Sequence, residues 1–362
     1  MSLIVNRPLQ GYGPETLWPV FARVFPPELI YYEGRHVTID RAHNLWLDLG
    51  VSQGVLGLAA LATLLVWAGH GLWRALRHSA DRWKQLTLVL TAAALVGHLA
   101  ELQLSFETTT TAMTTWLMLA VAMRLAEWAD ISCTTPPLRS ESSRKHQGPA
   151  PSPATTSGAI STAAVLSLPA LLILALIAMA CIRPLLADTA FQQARQSGTS
   201  IDDRLAAAER AVRLWPLEPS YHIELARIAL AAGNPVASET AMATATALAP
   251  VDPGVWAAAG EVYAVWSGMS PERAVQAEMA YRQATGLAPN IAAYHTALGL
   301  IEAGQGQLEE GAAELERAVE LDATDSTAYR HLSTVYETLG LSAKADWARA
   351  QADYWEDRTP EG

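Results

Sequence analysis

Residues 291–323 read IAAYHTALGLIEAGQGQLEEGAAELERAVELDA, and this stretch belongs to a periodic series. Its Leu298-Gly299 pair and Gly306 return 34 positions later as Leu332-Ser333 and Gly340. Ala284 and Ala318 are also 34 apart. Working outward, Leu214-Trp215-Pro216, Leu248-Ala249-Pro250, Leu287-Ala288-Pro289 and Leu321-Asp322-Ala323 follow at intervals of 34, 39 and 34. The longer interval absorbs an insertion near Ser267-Gly268-Met269.

A 34-residue unit closed by Pro resembles the tetratricopeptide repeat, a helix-turn-helix unit. Small residues where the two helices cross let them pack closely, and stacked neighbours bury a shared core. The spacing predicts a helix over 202–214, repeats over 217–250, 251–289 and 290–323, and a terminal helix pair over 325–355. The resemblance implies an all-α solenoid over 184–362 that binds a peptide or protein partner in a concave groove. Tyr221, Trp256, Tyr294 and Tyr329 lie near the start of each first helix. They are candidate partner-binding residues, with packing inside or between repeats as the alternative.

Composition bounds the rest. Of the 362 residues, 51% are hydrophobic and 17% charged, a low charged fraction for a soluble protein. The formal charge of -11 is uneven. Residues 1–183 hold 13 Lys/Arg and 11 Asp/Glu, whereas 184–362 hold 12 and 25. The acidic C-terminal half argues against nucleic acid as a partner. The two cysteines, Cys133 and Cys181, suggest neither a disulfide framework nor a metal site. No Walker loop, dinucleotide fingerprint, metal-ligand spacing or nucleophile elbow occurs.

Before the repeats, apolar runs dominate. Residues 1–48 lack a signal-peptide pattern. They carry Trp18, Phe21, Phe25, Tyr31-Tyr32 and Trp46, as a loop at a membrane interface does. Leu49 to Trp73 has no charged residue and is long enough to span a bilayer. Leu86–Phe106 and Thr108–Met123 are further apolar stretches, so 49–128 reads as three transmembrane helices. Residues 129–159, rich in Pro, Ser and Thr, read as a disordered cytoplasmic linker. Residues 160–183 read as a fourth span. The Lys/Arg residues fall in the 74–84 loop and the linker, which places both inside. Residues 1–48 and the repeats then share the outer face of a multi-pass protein of the cytoplasmic membrane. An outer N-terminal segment with Arg7, Arg23, Arg35 and Arg41 has no preceding helix to carry it across. The chain is therefore expected to be the C-terminal part of a longer protein.

At the mouth of the first span, His43-Asn44 is followed by nine residues, then Gly54, two residues, and Gly57. Upstream stands Pro8-Leu9-Gln10-Gly11-Tyr12-Gly13. Asn44 suits a helix N-cap, and Gly54 and Gly57 suit close helix packing. Together the two motifs also resemble the signature of the O-antigen ligase and polymerase superfamily. The resemblance covers roughly residues 1–130. It implies a polytopic membrane glycosyltransferase, independent of metal and cofactor. Such an enzyme moves a glycan from an undecaprenyl-diphosphate donor to a glycan, lipid or protein acceptor outside the membrane. His43 is then the candidate catalytic residue, as the base or as the group that positions the acceptor, since imidazole titrates near neutrality. Arg41 is a candidate for phosphate contact, because arginine reads phosphate bidentately, with a lipid headgroup as the equal alternative, and Arg35 is a further substrate-binding candidate in the loop. Asn44 would orient substrate or cap. His98 and Glu101, three residues apart near the end of the second span, are candidates as costly intramembrane ionisable groups. The alternative is a non-catalytic, membrane-anchored repeat scaffold for protein interaction.

Overall fold

A computed structural model describes residues 2–14, 16–35, 39, 42, 44–79, 81–102, 109–134, 182–268, 270 and 272–358. The chain divides into two compact units. One joins Met1–Val20 to Thr38–Thr156, and the other joins Phe21–Val37 to Ser157–Gly362. The expected N-terminal loop of residues 1–48 is thus shared between them. All regular structure in the described residues is helical.

In the first unit, helices α1 (Leu45–Ser52), α2 (Gly54–His78), α3 (Arg82–Glu101) and α4 (Thr109–Thr134) form a small bundle. Ala68, Leu95 and Leu119 make one buried cluster. Leu72, Ala75, Leu88 and Ala122 make another. The expected span Leu49–Trp73 is split, because the chain breaks at Gln53 and Gly54 takes a φ of 65°. Among the described residues one helix, α2, is long and apolar enough to cross a membrane. Helices α3 and α4 form close to where further spans were expected, and α4 holds a short apolar segment, Met113–Leu125. The three-span reading of 49–128 therefore stands on one helix that passes this test. Helix α4 also runs on to Thr134, into the stretch expected to be a disordered linker. The rest of that linker and the expected fourth span, up to residue 181, lie outside the described residues.

The second unit is a stack of helix pairs. Its helices are α5 (182–195), α6 (Ile201–Leu214), α7 (Pro219–Ala231), α8 (Pro235–Leu248), α9 (Pro253–Ser267), α10 (Glu272–Leu287), α11 (Ala292–Gly304), α12 (Leu308–Leu321), α13 (Ser326–Thr338) and α14 (Ser342–Glu356). Their starts follow from local chemistry. Pro219, Pro235 and Pro253 open three of them, where a missing N–H costs nothing. Ser200, Asn234, Asp252 and Asp325 each accept a backbone N–H as N-caps. The anticipated insertion lengthens the third pair, whose helices have 15 and 16 residues against 13 and 14 in the pair that follows.

One element was not anticipated. Helix α6 has a partner in α5, so the described residues hold five pairs. Ala187 and Ala190 pack with Ala211 and Tyr221, and Ala194 packs with Ala207, Ala208 and Ile228. The helix packs through small alanines, so its apolar stripe carries little signal in the sequence.

The corner between α1 and α2 depends on glycine. A Cβ on Gly54 would meet the Leu9 carbonyl oxygen at 2.5 Å and the Gly11 nitrogen at 2.7 Å. Gly54→Ala is expected to cost about 1–3 kcal/mol through its left-handed backbone alone, with the steric contact adding to that. The readout is the thermal midpoint of the purified full chain, and an unchanged midpoint contradicts this account of the corner.

Candidate functional site

The Pro-Leu-x-Gly-x-Gly segment and the glycines after His43 meet in the first unit. The Tyr12 N–H donates to the Val51 carbonyl at 2.9 Å and the Gly13 N–H to Ser52 at 2.8 Å. In return the Val55 N–H donates to Pro8 at 2.7 Å and the Leu56 N–H to Leu9 at 3.2 Å. Gly11 is as constrained as Gly54, since a Cβ there would lie 2.4 Å from the Val51 oxygen. The side chain of Asn44 accepts the Trp46 and Leu47 N–H groups at 3.0 and 3.1 Å, so Asn44 caps α1. The Leu45 N–H donates to the Leu102 carbonyl at 3.0 Å and ties this cap to the end of α3. His43 and Arg41 lie outside the described residues.

Below the corner is a cavity of about 250 Å³. Leu45, Leu49, Leu61, Leu64, Leu99 and Leu119 give it apolar walls, and Gln53 and Thr115 are its polar groups. Gly57 also lines it. His98 is buried beside Thr115. Its Nε2 lies 2.8 Å from the Thr115 hydroxyl, and its Nδ1 lies 3.4 Å from the Glu101 carboxylate. The His98–Glu101 pairing read from their spacing is therefore present, with Thr115 as an added partner. An apolar cavity with two polar groups suits an apolar ligand oriented by few hydrogen bonds.

In the second unit the four aromatic candidates are mostly packing residues. Tyr221 is buried against Phe191, with ring centroids 5.0 Å apart. Tyr329 is buried and packs edge-on against Trp347 at 5.8 Å. Burial raises the phenol pKa of Tyr221, Tyr294 and Tyr329, so each stays protonated at neutral pH. Tyr221 and Tyr294 also sit one residue before the positions equivalent to Trp256 and Tyr329. The residues in true register with Trp256 are His222 and His295, which sequence reasoning passed over. The 34- and 39-residue spacing was the signal that could have found them. Their ring N–H groups donate to the carbonyl of the preceding closing proline: His222 to Pro216 at 2.8 Å, Trp256 to Pro250 at 2.9 Å, and His295 to Pro289 at 3.0 Å. Each bond pins a first helix to the turn before it.

Charge concentrates between α10, α11 and α12. Arg282 reaches Glu278 and Glu302, both at 2.9 Å. Gln305 donates to Glu278 at 2.9 Å, and His295 Nδ1 lies 2.6 Å from Glu314. Glu302 is 2% exposed, and its Oε2 has no hydrogen-bond partner. Burial raises the Glu302 pKa, while Arg282 acts the other way.

The same unit also holds a piece of chain that is not repeat. Residues Phe21–Arg35 pack with the helix pairs. Arg35 donates through Nε to Asp322 at 2.5 Å and through Nη2 to the Thr324 hydroxyl at 2.6 Å. Asn290 donates to the Phe25 carbonyl at 3.0 Å. Arg35, a substrate-binding candidate in the sequence, thus has its guanidinium on the repeat surface.

No protein-family model matches the chain, and no curated protein does. Similar solved structures include MamA 41-end from Desulfovibrio magneticus RS-1, at 18% identity, TM-score 0.41, 49% of this chain and 98% of that one. Another is TTC0263, a thermophilic TPR protein in Thermus thermophilus, at 23% identity, TM-score 0.40, 48% of this chain and 92% of that one. A third is YrrB, a TPR protein with an unusual peptide-binding site, at 16% identity, TM-score 0.35, 42% of this chain and 76% of that one.

Glu302 gives the site a pH signature. A carboxyl whose folded pKa lies above its unfolded value contributes stability at low pH, which is lost as pH rises through the folded pKa. Glu302→Gln keeps an acceptor for Arg282 and removes the buried charge. Its thermal midpoint at pH 8 is expected to equal or exceed that of the wild type. The gap should close as the pH falls below the raised pKa. A variant melting several degrees lower at pH 8 would overturn this reading.

Proposed function

We propose that this chain is a membrane-anchored helical-repeat scaffold whose repeats bind a protein partner. The observation that carries the reading is the docking of Phe21–Arg35. The repeats already grip a non-repeat segment through a side-chain pair and a main-chain carbonyl. Peptide capture by a repeat surface uses the same two kinds of contact. The long apolar helix α2 supports the anchor, as do exposed Val66, Trp67, Trp83, Trp116 and Leu117 on the first unit. Exposed apolar surface of this kind marks a membrane or partner interface. Multiple spans, with the His43 loop and the repeats on the outer face, complete the proposal.

Two measurements test it. Single cysteines at positions 36, 80, 145 and 300, in a Cys133→Ser/Cys181→Ser background, are treated in intact cells with a membrane-impermeant thiol reagent. Labelling is expected at 36 and 300 and not at 80 or 145, and the reverse pattern refutes the topology. A photo-crosslinking residue at Ala293 or Leu300, on the exposed side of α11, is expected to give one discrete protein adduct in cells. Absence of an adduct at both positions sinks the scaffold.

A second reading is favoured by one specific observation. Four backbone hydrogen bonds join the Pro-Leu-x-Gly-x-Gly lead-in to the corner after His43, so the two halves of the ligase-like signature form one structural element. On that reading the chain is part of an O-antigen-ligase-like glycosyltransferase, and His43 removes the acceptor's proton while arginine holds the lipid diphosphate. His43→Ala in the full protein is expected to abolish glycan transfer and leave membrane insertion intact. Normal transfer by that variant rules the enzyme out.

A further inference from the structure

We infer that the Asp322–Thr324 turn is an arginine-reading site of the repeat surface, that Phe21–Arg35 is its occupant in cis, and that an arginine-bearing segment of a protein partner takes the same place by displacing Arg35. The inference rests on the scaffold reading for its last step only.

The site is built into the repeats, and the arginine is brought to it. The Asp322 side chain is 2% exposed, whereas that of Arg35 is 40% exposed. Asp322 Oδ1 accepts the Thr324 N–H at 3.0 Å and the Thr324 hydroxyl at 2.7 Å. The hydroxyl proton is therefore committed, and the remaining lone pairs of Thr324 Oγ1 accept from the guanidinium. Asp322 Oδ2 is left for Arg35 Nε. Two acceptors on one rigid turn match two N–H groups of one planar fork. A lysine ammonium is a compact point charge and lacks that fork. Asp325 adds a second negative charge beside the same guanidinium.

Recognition elsewhere in the segment does not depend on side-chain identity. Asn290 holds the main-chain carbonyl of Phe25, a group every peptide offers. Residues 184–362 carry 25 acidic against 12 basic side chains, which draws a basic segment toward the repeats. A tethered occupant acts at an effective concentration on the order of millimolar, so an outside segment competes only when it binds tightly or when Arg35 lets go.

The test uses the full chain and a fluorescent peptide of residues 20–37. Against the wild type, the Arg35→Ala chain is expected to bind the peptide at least tenfold more tightly, because its own site is vacated. A peptide in which Lys replaces Arg35 should bind at least tenfold more weakly than the native peptide. Adding Asp322→Asn to the Arg35→Ala chain should abolish binding. That change keeps an acceptor for the Thr324 N–H and turns an N–H group toward the guanidinium. Thr324→Ala, which leaves the carboxylate in place, is the companion variant, and a thermal melt of each shows that the repeats stay folded. Equal binding by the wild type and Arg35→Ala, or binding that survives Asp322→Asn, overturns the inference. If that happens while the photo-adducts on α11 persist, the arginine site is refuted and the scaffold reading stands.

Discussion

Gly299 and Gly311 lie so close where α11 and α12 cross that a Cβ on either would meet the other's carbonyl oxygen, at 2.8 and 2.7 Å. The solenoid depends on this constraint. At the position of Gly299 the other repeats carry Ala226, Gly260 and Ser333. Gly260 admits the ring of Tyr281, 2.7 Å from where a Cβ would stand, and Ser333 donates to the Ala345 carbonyl at 3.0 Å. On the second helices Ala211, Ala245, Ala284 and Ala318 stand in the same register, each with no exposed surface. Enlarging such a site costs typically 1–3 kcal/mol, because packed helices do not yield. Once the crossings are small, the larger side chains between pairs, such as Ile228, Met242, Leu298, Leu315 and Leu332, can be wholly enclosed.

Polar groups inside this packing all need partners, and the repeats provide them in two ways. One is local, through the ring N–H groups of His222, Trp256 and His295 on the proline carbonyls. The other is ionic. Arg282 between Glu278 and Glu302 neutralises part of a buried acidic cluster, and Arg204 stands 3.7 Å from the buried Glu224. Exposed pairs such as Arg227–Glu261 link consecutive repeats but add little, because solvent screens them. Among the described residues of the repeats, Glu302 and Ser238 each keep one buried oxygen without a partner.

The repeat period was legible because it is written at positions where close packing admits only small residues, and in the closing prolines of three junctions. Gly299, Gly306, Ala284 and the closing prolines recur at fixed distances, and the helix pairs fall where those distances put them. The first helix of the first pair was not legible, because Ala187, Ala190 and Ala194 make a weak stripe beside a long apolar run. The aromatic candidates were read one residue out of register at Tyr221 and Tyr294, since ring size was followed and the hydrogen-bonding atom was not. The cap at Asn44 could be read because capping is local. The meeting of Pro8–Gly13 with Val51–Leu56 could be suspected only through the resemblance, since no short-range rule joins segments forty residues apart. Arg35 was read as a substrate-binding residue of the N-terminal loop. Its pairing with Asp322 spans 287 positions, a distance at which local sequence carries no information.

The docking of Arg35 occurs where the repeat rule fails. Three junctions close with Leu-x-Pro and a ring N–H donor eight residues after the Leu. The fourth has Leu321-Asp322-Ala323 and then Tyr329, so both the proline and the nitrogen donor are gone. In their place Asp322 closes the turn itself, with Oδ1 on the Thr324 N–H, and a carboxylate ends up where the other junctions carry Trp215, Ala249 and Ala288. A buried carboxylate without a counter-charge is costly. The fourth junction is thus complete only when a cation arrives from outside the repeats. Departures from a local rule tend to mark function, and here the departure creates the demand that Phe21–Arg35 meets. The same demand is what makes the position available to another arginine.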